Sequence, residues 1–311
     1  MKKMLTVFTP TYNRAYCIHR CYESLCRQTS DDFEWLVIDD GSTDNTKELI
    51  NSWIAENKIR ITYFYKENGG MHTGHNAAYK LIDTELNVCI DSDDHMPDDA
   101  VEKIITLWRR DGSEQYSGLI GLDVFSTNGN VVGAKFPDDL RVSKYSELAP
   151  KYGAWGDKKV VYRTDIVKQQ TPYPVFPEER FVPLYMPLLA DQHHPFLVYN
   201  DVWCVVDYQD TGSTINIYGQ YFRNPKGFSH SRTIEMVYKP TFMLRFKSAM
   251  HYIVTSIISK NGNFLSESPR KMLTIAAIPF GIILYIFLAL QKDKKRDISK
   301  YVKVTEETTK T

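Results

Sequence analysis

Asn87-Val88-Cys89-Ile90-Asp91-Ser92-Asp93-Asp94 decides how this chain is read. A short apolar run of β character ends abruptly in three carboxylates. In an open α/β sheet, ligands bind at the carboxyl edge of the strands. Asp91 and Asp93, one residue apart, would be delivered to that edge together. Hard divalent cations such as Mg²⁺ take oxygen ligands, and a cation held by one or two carboxylates can grip a diphosphate. The plainer reading is a helix start, with Pro97 at a first helical position and Asp98 and Asp99 in the first turn. A cap needs one acidic residue, whereas three stand before this proline.

The first half of the chain alternates between two periodicities. Met4–Phe8, Trp35–Asp39, Ile61–Tyr65 and Asn87–Asp91 read as strands, apolar and bounded by turn residues. Between them, Ile18, Cys21, Tyr22 and Leu25 recur at helical spacing. So do Leu49, Ile50, Trp53 and Ile54, behind a capping-box pattern at Asn45-Thr46-Lys47-Glu48. Ala77, Ala78, Leu81 and Ile82 mark a third helix, and Val101, Ile104, Ile105 and Trp108 a fourth. Strands alternating with single helices imply parallel β-α-β units. Later on, Gly118–Val124, Val131–Ala134 and Val202–Val206 are predicted strands, and the proline-rich stretch 171–195 is predicted to be mostly loop.

Each early strand end carries polar residues. They are Thr9-Pro10-Thr11-Tyr12-Asn13-Arg14, then Asp39-Asp40-Gly41-Ser42, then Asn68-Gly69-Gly70-Met71-His72-Thr73-Gly74-His75-Asn76, then the acidic cluster. A tyrosine can stack on a base, and a carboxylate can accept from a base N–H or a ribose hydroxyl. A glycine lets the chain turn sharply. One such turn is ordinary connection chemistry; four in succession suggest a nucleotide. His72 and His75 are candidate diphosphate or sugar contacts.

In order and spacing, these four segments resemble the family 2 glycosyltransferases over residues 4–110. A looser likeness continues to about 215. Gly156-Asp157-Lys158 with Val161-Tyr162-Arg163, and later Glu179-Arg180-Phe181-Val182-Pro183, resemble a subgroup found among bacterial capsule and surface-polysaccharide genes. The resemblance implies an α/β fold of the GT-A type, a Rossmann-like, mostly parallel sheet. It also implies an inverting transfer of sugar from a nucleoside-diphosphate donor, expected to be a UDP sugar, to a saccharide or lipid-linked saccharide hydroxyl. It assigns Pro10, Tyr12 and Arg14, Asp39 and Asp40, Asn68, Gly70, Asn76, Asp91 and Ser92 to the donor. Asp91 and Asp93 are assigned to a Mg²⁺ or Mn²⁺ ion, with Asp94 as helper. The acceptor's base is expected in a downstream acidic pair, which favours Glu179 in Glu178-Glu179, with Asp157 as runner-up. Leu184 stands where the subgroup usually has an acidic residue.

The 311 residues are 43% hydrophobic with zero net charge, so nothing global suggests nucleic acid. The charge is uneven, however: residues 241–300 hold ten Lys/Arg against three Asp/Glu. Five cysteines, with no Cys-x-x-Cys, read as reduced thiols. The amino-terminal apolar run is too short for a signal peptide, so the bulk of the chain is expected in the cytosol. Met272–Leu290 carries no charge and lies between Arg270-Lys271 and Lys292-Asp293-Lys294-Lys295-Arg296. Nineteen residues approach a membrane span, but Pro279, Gly281 and two basic flanks favour an in-plane or re-entrant helix at the cytosolic face. The expected organisation is a catalytic domain over 1–220, with a donor half to 110 and an acceptor half after it. A helical region over 221–311 follows.

Other functions fit less well. A haloacid-dehalogenase-type phosphatase would carry Asp-x-Asp near its first strand. A sugar nucleotidyltransferase would have a glycine-rich loop at 9–14, and a processive synthase would show Gln-x-x-Arg-Trp and several spans. A non-catalytic nucleotide-sugar-binding scaffold would have little use for the full acidic cluster.

Overall fold

The computed structural model describes residues 2–207 and 215–295. Its first half repeats the β-α alternation four times: β1 (Leu5–Thr11), α1 (His19–Cys26), β2 (Phe33–Asp39), α2 (Thr46–Glu56), β3 (Ile61–Tyr65), α3 (Met71–Leu81), β4 (Leu86–Cys89) and α4 (Ala100–Asp111). There follow β5 (Gly118–Phe125), β6 (Val142–Ser143), α5 (Tyr145–Tyr152), β7 (Lys158–Arg163), α6 (Thr164–Lys168), α7 (Met186–Ala190) and β8 (Phe196–Val206). The eight strands form one sheet in the order β3-β2-β1-β4-β7-β5-β8-β6. β3, β2, β1 and β4 run parallel, and β7 enters antiparallel between β4 and β5. β5 and β8 are again parallel.

β1 and β2, interior strands of the sheet, are buried along nearly their whole length, the threonines of β1 included. Helices cover them, and Trp35 on β2 lies in a cluster where the Tyr22 and Trp53 rings stack 4.2 Å apart. β3, at the sheet edge, is half exposed.

Four local expectations are corrected. Val131–Ala134 is not a strand: only Val131 makes an isolated bridge, to Val124. Gly133 then turns the chain at φ +86°, where a Cβ would sit 2.1 Å from the Trp155 carbonyl oxygen. Pro97 does not open α4, which begins at Ala100 behind Asp99; His95 bridges to Val205 just before it, and the Ala100 N–H turns back onto the Pro97 carbonyl at 3.1 Å. The capping box does not form; Asp44 Oδ1 instead accepts from the Thr46 backbone N–H at 3.1 Å. Finally, β8 begins six residues before the predicted Val202, where Phe196 and Leu197 pair with β6.

The chain divides into two compact units. The first comprises Met1–Pro172 and Ala190–Tyr208 and contains the sheet. The second joins Tyr173–Leu189 to the helices that follow: α8 (Ile217–Arg223), α9 (Pro225–Tyr238), α10 (Phe242–Ile258), α11 (Phe264–Glu267) and α12 (Lys271–Gln291). The Glu178-Glu179 loop therefore groups with the helices rather than with residues 111–172. Met236, Ala249, Tyr252 and Ala277 form one core of this unit, and Tyr221, Phe228, Val254 and Leu288 another. All five cysteines are free thiols. Arg296 of the basic flank lies outside the described residues.

Candidate active site

The sheet order fixes where a ligand can enter. From β1 the chain crosses to β2 on one side, and from β3 it returns to β4 on the other. The carboxyl ends of β1 and β4 thus flank a topological switch point, the crevice where open α/β sheets bind ligands. Tyr12 and Arg14 follow β1; Asp91 and Asp93 follow β4. Arg14 Nη1 lies 3.9 Å from Asp93 Oδ2 across that crevice.

The neighbouring loops are tied together by backbone-directed hydrogen bonds. Asn13, at φ +53°, accepts at Oδ1 from the Thr43 backbone N–H (2.7 Å), and its own N–H donates to Ser42 Oγ (2.9 Å). Asp39 is fully buried and accepts from the Ser42 backbone N–H and the Tyr63 hydroxyl, both at 2.7 Å. Asp40, also buried, pairs with Lys66 and accepts from the backbone N–H groups of Gly69 (3.0 Å) and Gly70 (2.7 Å). Gly41, at φ +86°, lets Asn68 approach so closely that a Cβ would meet its backbone nitrogen at 2.8 Å. Asp39 and Asp40 therefore shape the crevice wall. Pro10 packs beneath it against Gly74. Tyr12 is exposed, and Asn68 and Asn76 are partly exposed beside the buried Gly70.

In the acidic cluster, Asp91 is exposed, Asp93 half-buried, and Ser92 and Asp94 buried. Burial and then repulsion from Asp91 raise the Asp93 carboxyl above its usual range, against the pull of Arg14. Asp94 faces inward: Oδ1 accepts from the Asp207 backbone N–H at 3.1 Å, and burial pushes it well up. Two hard carboxylates at a sheet edge, each repelling the other, suit a divalent cation whose remaining ligands come from phosphate and water. Among the described residues, no third His, Cys, Asp or Glu completes a protein-only cage.

Sequence reasoning missed Asp123 and Lys159. Lys159 Nζ reaches from β7 to the Cys89 carbonyl (3.4 Å) and lies 4.0 Å from Asp123 Oδ1 on β5. Burial raises Asp123 to about 6, although Lys159 pulls it down. The signal was an acid inside the apolar run Gly118–Phe125. His72 and His75 are buried rather than set in an open loop. Burial lowers His75 to about 4, and its Nδ1 lies 3.1 Å from the Tyr79 hydroxyl, so it packs as a neutral ring.

The candidate bases fall in different units. Asp157 is exposed just before β7 in the sheet unit. Glu178 is exposed in the helical unit. Glu179 beside it is buried, and both its oxygens are engaged: Oε1 accepts from the Lys226 backbone N–H (2.9 Å) and Oε2 from that of Gly227 (2.7 Å).

The mostly parallel α/β sheet with Asp-x-Asp at its switch point agrees with the GT-A-type fold that the sequence resemblance implies. Residues 6–137 match the family described as Glycosyl transferase family 2. It is 35% identical to a chondroitin synthase of Pasteurella multocida over 41% of this chain and 12% of that protein. It is 33% identical to a chondroitin synthase of Escherichia coli over 41% of this chain and 18% of that protein. The chain thus spans less than a fifth of these relatives' length. The fold is shared with S. aureus TarS 1-349 in complex with UDP-GlcNAc (TM-score 0.58, 18% identity, 91% of this chain and 81% of that one). It is also shared with a mannosyltransferase from Pyrobaculum calidifontis in complex with GDP-Man and Mn²⁺ (TM-score 0.53, 18% identity, 94% and 81%).

Proposed function

We propose that this chain is a metal-dependent, inverting glycosyltransferase. It moves a sugar from a UDP sugar to a hydroxyl of a saccharide or lipid-linked saccharide during surface-polysaccharide synthesis. The observation that carries the proposal is the placement of Asp91 and Asp93 at the switch point, facing Arg14 and walled by the Asp39–Asp40 and Gly69–Gly70 turns. The likeness to the Pasteurella and E. coli chondroitin synthases, and the donors bound to the two structural neighbours, support the same class.

Each residue then has a task. Asp91 and Asp93 would hold Mg²⁺ or Mn²⁺, which when bound supplies Lewis-acid neutralisation of the departing diphosphate. Arg14 stands beside them as a fixed cation for a phosphate oxygen. The exposed Tyr12 ring offers a stacking face to the base. Asp40 keeps the Gly69–Gly70 turn open beside the donor. The acceptor hydroxyl must lose a proton as it attacks the anomeric carbon, and a positioned carboxylate contributes about 10²–10⁴-fold there. Of the Glu178-Glu179 pair we assign this to Glu178, because both oxygens of Glu179 are engaged with backbone donors. Exchange of each carboxylate for its amide tests the assignment: Glu178→Gln should lose most of kcat with donor binding intact. Collapse of kcat in Asp157→Asn alone would move the role to Asp157.

α12 is long and apolar enough to cross a membrane. We place the enzyme at the cytosolic face of a bacterial plasma membrane, where lipid-linked acceptors are met.

A further inference from the structure

Two faces of α12 differ sharply. One is packed: Thr274, Ala277, Gly281 and Leu288 are buried, at spacings of three, four and seven residues. A Cβ on Gly281 would come within 2.5 Å of Ile253 Cβ on α10, so the glycine is what lets these two helices close. The opposite face is bare. Met272, Ile275, Ile283, Ile286 and Leu290 form a stripe at helical spacing, with Met272 78%, Ile283 67% and Leu290 72% exposed. The apolar surface continues onto α10, where Phe280 meets Phe246 edge-on at 5.5 Å and Phe246 stacks on the exposed Phe242. Exposed lysines bracket the stripe: Lys271 at one end, Lys292, Lys294 and Lys295 at the other, against the single acid Asp293.

Resting on the membrane reading above, we infer that α12 docks in the plane of an anionic bilayer while remaining paired with α10, and does not span it. α12 is apolar all round and becomes one-sided only because α10 covers its small-residue face. If it crossed alone, Ala249, Tyr252 and Ile253 of α10 would lose their cover. If α10 went with it, Arg245 and Lys247 would enter hydrocarbon. So would Ser248, whose hydroxyl donates to Glu235, the acid bonded to Arg232 and Lys239; burying such charges in lipid is costly. Lying flat, the stripe enters the acyl boundary while the flanking lysines stay at headgroup level, where acidic lipids attract them.

The test uses the full-length protein with sealed vesicles of phosphatidylcholine, with and without about a third phosphatidylglycerol. The protein should float with the anionic vesicles and keep part of its binding in 1 M NaCl. Ile283→Lys with Ile286→Lys, both at exposed positions, should cut partitioning at least tenfold with an unchanged thermal midpoint. In inverted membrane vesicles from expressing cells, an epitope after the carboxyl terminus should be cleaved by added protease without detergent. Gly281→Leu should lower the thermal midpoint of the membrane-bound protein, since it forces α12 off α10. An epitope protected until detergent is added means a span, and overturns the in-plane inference while keeping the membrane reading. An unchanged midpoint in Gly281→Leu shows that α12 leaves α10 on binding, and also overturns it. A full-length protein that fails to float, or that covers the stripe by dimerising in solution, overturns the membrane reading itself. None of these outcomes touches the transferase assignment, which is read from donor turnover.

Discussion

Glu179 Oε2 accepts a hydrogen bond from the Gly227 backbone N–H at 2.7 Å, at the open end of α9. The second oxygen takes the Lys226 N–H, and Pro225, which has no N–H to satisfy, occupies the first position of the helix. Asn224 Oδ1 returns the favour by accepting from the Arg180 backbone N–H at 2.9 Å. A Cβ on Gly227 would lie 2.2 Å from the Phe181 carbonyl oxygen, so only glycine permits this clasp. A carboxylate at a helix amino terminus also meets the positive end of the dipole.

Glu179→Gln should therefore act on stability. One of two charge-assisted bonds is lost and the amide nitrogen faces a backbone donor, a cost of about 2 kcal/mol. Differential scanning fluorimetry should show a lowered midpoint for Glu179→Gln and an unchanged one for the exposed Glu178→Gln. Equal midpoints with a kcat defect confined to Glu179→Gln would return the base role to Glu179.

The helical unit should be acid-sensitive. Burial, and then the Arg232 charge, push His251 down to about 3, so the unfolded chain binds its proton near the usual 6.5 while the folded chain does not. That stability is complete above 6.5 and is lost as pH falls toward 3, at up to about 1.4 kcal/mol per pH unit. Burial opposes ionisation of Glu235, but Arg232 and Lys239 hold it down to about 2. Its share is lost in turn below the ordinary glutamate value. Chemical denaturation between pH 8 and 5 should show this fall, and His251→Gln should make it shallower between 6.5 and 5, the other buried histidines keeping their share. An unchanged slope in that variant would show that His251 is not responsible.

Asp93→Asn should raise the thermal midpoint in metal-free buffer. Its carboxyl is raised by burial and by Asp91, so the charged form is unfavourable in the folded state. Function kept at the cost of stability is the common pattern for such sites. A lowered midpoint would mean that Arg14 more than compensates.

Asp40→Ala should cost about 2–3 kcal/mol, because it strips partners from the Gly69 and Gly70 N–H groups and from Lys66. It should also weaken donor binding, measured by calorimetry. Wild-type donor affinity in a folded variant would separate the turn from the donor site.

What could be read in advance was whatever breaks a local pattern. Asp91 and Asp93 interrupt an apolar run, and the glycines at 41 and 69–70 mark sharp turns, so the four strand ends and the parallel half-sheet were legible. Partners distant in sequence were not. Asp123 sits in an apolar strand and gains its meaning from Lys159, which arrives on β7, a strand inserted antiparallel between β4 and β5. Likewise, nothing near Glu179 announces that Lys226 and Gly227 will occupy its oxygens. The tail was legible as apolar but not as two-faced, since α10 alone distinguishes Gly281 from Ile283.

The most direct measurement is release of nucleoside diphosphate from a panel of nucleotide sugars, with a saccharide or lipid-linked acceptor present. Release should require Mg²⁺ or Mn²⁺, stop with EDTA and return when the metal is restored. It should fall to background in Asp91→Asn and Asp93→Asn, with both variants still folded. Full turnover in metal-free buffer, or wild-type rates in both variants, would contradict the assignment of the switch-point carboxylates to a metal-dependent sugar transfer.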